Sequence, residues 1–202
     1  MKIICIGRNY ADHAKEMNSP VPKEPIFFMK PDTALLRESE FYLPDFTKDL
    51  QHEVELVIKI NKVGKNIAPE FASGYYNEIG LGIDFTARDI QKHCKENGLP
   101  WEKAKAFDNS AIISASFIPK ASLDLSNIEF SLTNNNTLVQ KGNSKNMLFS
   151  FDQLISHISK YITLKVGDLI YTGTPEGVAS VKIGDKLQGF IGNQSLFEVK
   201  IL

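Results

Sequence analysis

The sequence lacks the marks of an exported, membrane-spanning or nucleic-acid-binding protein. It holds only two cysteines, Cys5 and Cys94, with no CxxC spacing, which excludes a disulfide-dense scaffold and a cysteine metal clip. No apolar run reaches the roughly 18–20 residues of a membrane span. The opening Met-Lys-Ile-Ile-Cys-Ile-Gly turns polar too soon for a signal peptide, so a cytoplasmic protein with no membrane partner is expected. An excess of one charge is missing too: 23 Lys and Arg stand against 24 Asp and Glu, a net charge of −1. Nucleic acid is therefore not expected as a partner. No internal repeat, low-complexity tract or linker is visible.

The chain is apolar enough, at 43% hydrophobic residues, to build one core. A single domain over residues 1–202 is expected. Glycine and proline divide the chain into short segments of alternating or β-rich character. Strands are predicted at 3–6, 26–29, 53–60, 79–83, 128–133, 138–141, 168–171, 186–190 and 196–202. Asn134-Asn135-Asn136 and Gly192-Asn193 fit hairpin turns, since both residue types tolerate positive φ. Three helices are predicted: 10–17, capped by Asn9 and stopped by Asn18-Ser19-Pro20; 87–96, opened by a Thr86/Asp89 capping box; and 151–161, opened by Ser150 and Gln153. The last has Leu154, Ile155, Ile158 and Tyr161 at helical spacing and should pack on a sheet.

Three segments carry chemistry. In His52-Glu53-Val54-Glu55-Leu56-Val57-Ile58-Lys59-Ile60 the two-residue period puts Glu53 and Glu55 on one side of a strand, opposite Val54, Leu56, Ile58 and Ile60. Two carboxylates so placed can meet one hard cation; the same letters also describe an amphipathic strand with a solvated acidic face. Asp84 ends a glycine-rich apolar strand just before a helix, a junction where ligands are often held, though turn stabilisation explains it equally well. Three carboxylates without a Cys or His cluster suit Mg²⁺ or Mn²⁺. His13 and Glu16 lie three apart on the first helix and share a face. The carboxylate can orient and polarise the imidazole as a base, or the two can be a plain surface ion pair.

Read in order, Gly7-Arg8-Asn9-Tyr10-Ala11-Asp12-His13, Phe28-Met29-Lys30-Pro31, His52-Glu53-Val54-Glu55-Leu56, Asp84-Phe85-Thr86-Ala87-Arg88-Asp89 and Thr172-Gly173-Thr174-Pro175-Glu176-Gly177-Val178 resemble the motifs of the fumarylacetoacetate hydrolase superfamily. The short branch of acylpyruvate hydrolases and oxaloacetate decarboxylases or tautomerases is the nearest match. The resemblance covers nearly the whole chain, and it implies a β-rich α+β fold, a mixed β-sandwich or roll with a few peripheral helices. It also implies a homodimer and one Mg²⁺ or Mn²⁺ per chain, held by Glu53, Glu55 and Asp84. His13 and Glu16 match the catalytic pair on a mobile N-terminal lid within residues 1–20, and Lys105 matches the lysine that contacts substrate beside the metal. Lys103 does not align with it. Lys30, Arg88, Gln91 and Thr174 match residues lining the pocket. Ala104 and Ala179 stand where family members often have glycine.

The activity so implied is hydrolysis of a C–C bond in acylpyruvates, 2,4-dioxo acids, by way of a pyruvate enolate held at the metal. This reaction comes first because the His–Glu pair suits activation of water. Oxaloacetate decarboxylation and tautomerisation share the enolate and are the alternative. A non-catalytic β-sandwich that binds sugar or peptide around a structural cation is a further alternative of a different class.

Overall fold

Short strands dominate the computed structural model, which describes all 202 residues. In chain order the elements are β1 (Ile3–Gly7), α1 (Ala11–Glu16), β2 (Ile26–Lys30), β3 (Leu35–Leu36), β4 (Glu40–Phe41), β5 (Leu50–His52), β6 (Val54–Ile60), α2 (Pro69–Ala72), β7 (Tyr76–Asp84), β8 (Thr86–Ala87), α3 (Arg88–Glu96), α4 (Glu102–Lys105), β9 (Ala111–Ile113), β10 (Ile118–Pro119), β11 (Glu129–Asn134), β12 (Thr137–Asn143), α5 (Phe151–Ser159), β13 (Leu169–Tyr171), β14 (Ala179–Ser180), β15 (Lys186–Ile191) and β16 (Gln194–Ile201). No helix is long and apolar enough to cross a membrane.

The strands form a mixed eight-stranded sheet ordered β2-β1-β13-β6-β7-β9-β3, with β10 beside β7, and a five-stranded sheet ordered β12-β11-β15-β16-β4. A small third sheet, β14-β5-β8, sits beside them. The main core lies between the two large sheets. Leu56, Ile58 and Leu81 come from one, Leu132, Leu187 and Val199 from the other, and Leu154, Ile155 and Ile158 from α5. Tyr161, expected to extend that helical stripe, lies past the end of α5 and is exposed. A second, smaller cluster of Ile3, Cys5, Val57, Ala111 and Tyr171 covers the opposite face of the eight-stranded sheet. Strand β6 is thus packed on both sides, so its second face is not the solvated acidic face that alternation also allowed.

Local signals hold where no distant partner competes. Asn135 and Asn136 both take positive φ, 51° and 65°, and close the β11–β12 hairpin as a type I′ turn. Ser150 and Gln153 form a reciprocal capping box on α5. The other two caps are corrections. Asn9 does not cap α1: its amide donates to the Phe149 and Thr172 carbonyls, and its Oδ1 accepts from the Phe149 N–H. Nor do Thr86 and Asp89 form a box, because α3 begins one residue later than expected, with Ala87 as its cap. Asp89 instead accepts from Thr47 Oγ1 and the Lys48 N–H, while Thr86 Oγ1 accepts from Lys105 Nζ. In each case a group distant in the sequence took the side chain.

Candidate active site

Strand register assembles the acidic cluster. Strands β6 and β7 run antiparallel with Val54 opposite Ile83 and Glu55 opposite Gly82, and the next step is a hydrogen bond from the Asp84 N–H to the Glu53 carbonyl at 2.9 Å. Glu53, Glu55 and Asp84 each offer an oxygen, and these oxygens lie within 4.8 Å of one another. All three residues are buried, at 5%, 1% and 1% exposure, far from the usual place of carboxylates. Gly82, opposite Glu55, lets β9 and Tyr171 close on β7: a Cβ there would stand 2.3 Å from the Ile112 carbonyl oxygen and 2.6 Å from the Tyr171 ring. Gly173, at φ +101°, turns its N–H to Glu55 Oε2 at 2.6 Å, and a Cβ on it would strike Asn9 at 2.7 Å.

Cations crowd the same spot. Lys105, at the end of α4, donates to Glu53 Oε2 and Asp84 Oδ2, both at 2.8 Å, and to Thr86 Oγ1 at 2.5 Å. Arg88, the first residue of α3, binds Glu53 Oε1 at 2.5 Å, and its other nitrogens donate to Gln51 and Gln91, both at 2.7 Å. Burial pushes the Glu53 carboxyl up, but Lys105 and Arg88 outweigh it and hold it well below the usual range. Glu55 goes the other way: burial, then the charges of Asp84 and Glu53, push it well above that range. Burial lowers the Lys105 ammonium, yet Asp84 and Glu53 more than compensate, so it stays protonated.

Helix α1 covers the cavity. His13 is 7% exposed, and its Nδ1 meets Glu16 Oε2 at 3.0 Å. Glu16 Oε1 in turn accepts from the Gly177 N–H at 3.0 Å. Residues with positive φ, Arg8 at 60° and Asn18 at 47°, flank the helix, so both of its ends are sharp turns.

Of the residues singled out in the sequence, His13, Glu53, Glu55, Asp84, Arg88, Gln91, Lys105 and Thr174 line this one cavity. Glu16 stands behind His13. Lys30 lies behind the wall, fully buried, with Nζ donating to the carbonyls of Phe85, Lys105 and Ser110 and to Ser110 Oγ. Lys103 is exposed. Sequence reasoning passed over Arg8, Lys95 and Trp101 in the cavity wall; the Lys95 ammonium lies 5.4 Å from the Trp101 ring centroid. It also passed over Gln140, which binds Thr174 from the second sheet.

The cluster fits a hard divalent cation. Its donors are all carboxylate oxygens, and Asp84 Oδ1 is buried without a hydrogen bond. Lys30 Nζ pairs with that oxygen by charge at 2.8 Å, while its hydrogen bonds run to the Phe85, Lys105 and Ser110 oxygens. Lys30, Arg88 and Lys105 balance the three carboxylates, so a dication would leave the cavity positive and suited to an organic anion.

Comparison with known proteins agrees with this geometry. The family model described as fumarylacetoacetate (FAA) hydrolase C-terminal matches residues 2–201. A human protein named oxaloacetate tautomerase FAHD1, mitochondrial, is 44% identical over 191 residues, covering 94% of this chain and 86% of its own. Oxaloacetate tautomerase YcgM of Escherichia coli (strain K12) is 42% identical over 199 residues, covering 96% and 90%. The crystal structure of fumarylpyruvate hydrolase from Pseudomonas aeruginosa in complex with Mn²⁺ and pyruvate superposes with a TM-score of 0.93 at 34% identity, covering all of this chain and 89% of that one. A β-rich sandwich with this carboxylate cluster, matched from its second residue to its last but one, belongs to the fumarylacetoacetate hydrolase family.

Proposed function

We propose that this protein acts on small 2-oxo acids at a divalent-metal site. Oxaloacetate tautomerisation is its first activity and acylpyruvate hydrolysis its second. The observation that carries the reading is the His13–Glu16 pair closed over Glu53, Glu55, Asp84 and Lys105 in one cavity. The sequence alone ranks hydrolysis first. The order is reversed here because the relatives at 42% and 44% identity are named for oxaloacetate tautomerisation and the hydrolase neighbour stands at 34%.

Glu53, Glu55 and Asp84 would hold Mg²⁺ or Mn²⁺, which supplies Lewis acidity toward the 2-oxo acid. The remaining work falls to the chain. With Nδ1–H of His13 directed at the Glu16 carboxylate, Nε2 is the basic nitrogen. In oxaloacetate it takes a proton from C3, and returning a proton to the C2 oxygen gives the enol. In an acylpyruvate the same nitrogen takes a proton from water; the hydroxide adds to the distal carbonyl, and the C–C bond breaks to a carboxylic acid and pyruvate enolate. Glu16 stabilises the imidazolium in both cases, and Lys105 offers its charge to the developing oxyanion. Thr174 and Arg88, which line the cavity, would bind the substrate carboxylate.

Keto–enol exchange of oxaloacetate, followed by ultraviolet absorbance with Mg²⁺ or Mn²⁺ present, should be accelerated by the protein, and acetylpyruvate should be cleaved more slowly. Metal-dependent cleavage of acetylpyruvate without an effect on oxaloacetate would restore hydrolysis to first place. No effect on either compound would leave a binding module.

Helix α1 serves as a lid in this scheme. Its amides should exchange with solvent more slowly once oxalate, a planar mimic of the enolate, is bound with metal. Unchanged exchange over residues 11–16 with oxalate demonstrably bound would count against closure.

A further inference from the structure

Gln140 lies in the middle of β12, on the second sheet, and is 2% exposed. Its side chain spends its full hydrogen-bonding capacity on the active site. Oε1 accepts from His52 Nδ1 at 2.8 Å and from the Val54 N–H at 3.1 Å, the two residues on either side of Glu53. Nε2 donates to Thr174 Oγ1 at 3.0 Å and to the Pro175 carbonyl at 3.1 Å. The polarity of this network is forced by backbone. The Val54 N–H can only donate and the Pro175 carbonyl can only accept, so the amide has one allowed orientation. Thr174 Oγ1 must therefore accept from Gln140. Its own proton makes no bond within the protein, and Thr174 lines the cavity.

We propose that Gln140 is a positioning residue that commits the Thr174 hydroxyl to donate into the cavity, toward the carboxylate of the bound 2-oxo acid. The inference rests on the reading of that cavity as a 2-oxo acid site. Without Gln140 the hydroxyl proton is free to turn elsewhere, and the donor is no longer fixed toward the anion.

Gln140→Glu tests this selectively. The isosteric carboxylate still accepts from His52 and Val54, so the backbone around Glu53 keeps its support, but Thr174 must now turn its proton toward residue 140; the Pro175 carbonyl loses its donor as well, a loss that the Thr174→Val background shares. Calorimetric binding of oxalate with Mg²⁺ present should weaken by roughly 10- to 100-fold, the range for one hydrogen bond to a charged group. KM for oxaloacetate should rise with little change in kcat, because this contact is the same in the ground and transition states. Mg²⁺ affinity titrated without oxalate should change little. Thr174→Val should lose a similar factor and Thr174→Ser should not. In the Thr174→Val background, Gln140→Glu should add almost nothing. If the buried carboxylate prevents folding, Gln140→Met enters the same cycle; it also strips the acceptor from His52 and the Val54 N–H, so the readout is its loss of oxalate binding beyond the loss it causes in the Thr174→Val background.

Equal losses from Gln140→Glu in both backgrounds, or none in either, would overturn the proposal. If the wild-type protein does not bind oxalate, the functional reading falls instead. The amide orientation is then judged separately from the ¹⁵N spectrum of His52, where Nδ1 should carry the proton; a proton on Nε2 would overturn the proposal even where oxalate binds.

Discussion

Glu55→Gln should abolish metal-dependent turnover and at the same time make the metal-free protein more resistant to heat. The amide keeps the bond from Gly173, since its oxygen still accepts, but it removes a buried negative charge from beside Asp84 and Glu53. Burial and those two charges are what push the Glu55 carboxyl up, so its ionised form works against the metal-free fold. The stability its proton confers is complete below the unfolded-chain value of about 4.3 and is lost as pH rises through the higher folded-state value. The variant should lack this pH-dependent component. For a chain of this size each kcal/mol of repulsion removed raises Tm by about 2 to 4 °C. Mg²⁺ at about 100 times its Kd should stabilise the wild type by about 2.7 kcal/mol and the variant hardly at all. Thermal unfolding with chelator and with Mg²⁺ measures both effects. Equal stabilisation of the two proteins by Mg²⁺ would place the ion elsewhere.

The second large effect belongs to the lid. His13→Ala should slow oxaloacetate tautomerisation and acylpyruvate hydrolysis by about 10² to 10⁴-fold, the span for a positioned acid–base group. Metal-promoted decarboxylation of oxaloacetate should fall less, because departure of CO₂ needs an electron sink and no base. The ratio of activities is the readout. Glu16→Gln refines it. The Gly177 N–H requires an oxygen at one end of that side chain, so an amide would present its NH₂ to His13 Nδ1. The imidazole would then protonate at Nε2 and lose its base without moving. Equal losses in all three reactions for His13→Ala would instead indicate a lid that only excludes water.

Much of the site could be read in the sequence because its residues sit in contiguous motifs. Period-two spacing put Glu53 and Glu55 together, and the strand-to-helix junction exposed Asp84 as unusual. What periodicity could not supply was the partner across the fold. Gln140 occupies an unremarkable place in an alternating strand, and Lys30, matched by resemblance to the pocket lining, gave no sign that it is buried behind that wall. Only the tertiary structure shows them buried, at 2% and 1% exposure. The caps divide the same way. Ser150 found its partner three residues along the chain, whereas Asn9 was claimed by Phe149 and Thr172, and Thr86 by Lys105. Strands of two residues, such as Leu35–Leu36 and Thr86–Ala87, are too short to have a period at all.

The reach of Asn9 also bears on how the molecule comes into being. Its bond to Thr172 spans 163 residues, and β1, which precedes it, runs parallel to β13 with Ile3 beside Leu169. Chains dominated by such distant pairings collapse along routes of high contact order, in milliseconds to seconds rather than microseconds. The lid, the acidic strand, the α3–α4 segment, β12 and the turn at Gly173 all have to arrive before any of them has its partners. During refolding, recovery of catalytic competence should therefore lag behind the return of secondary structure, and no excised fragment should retain it.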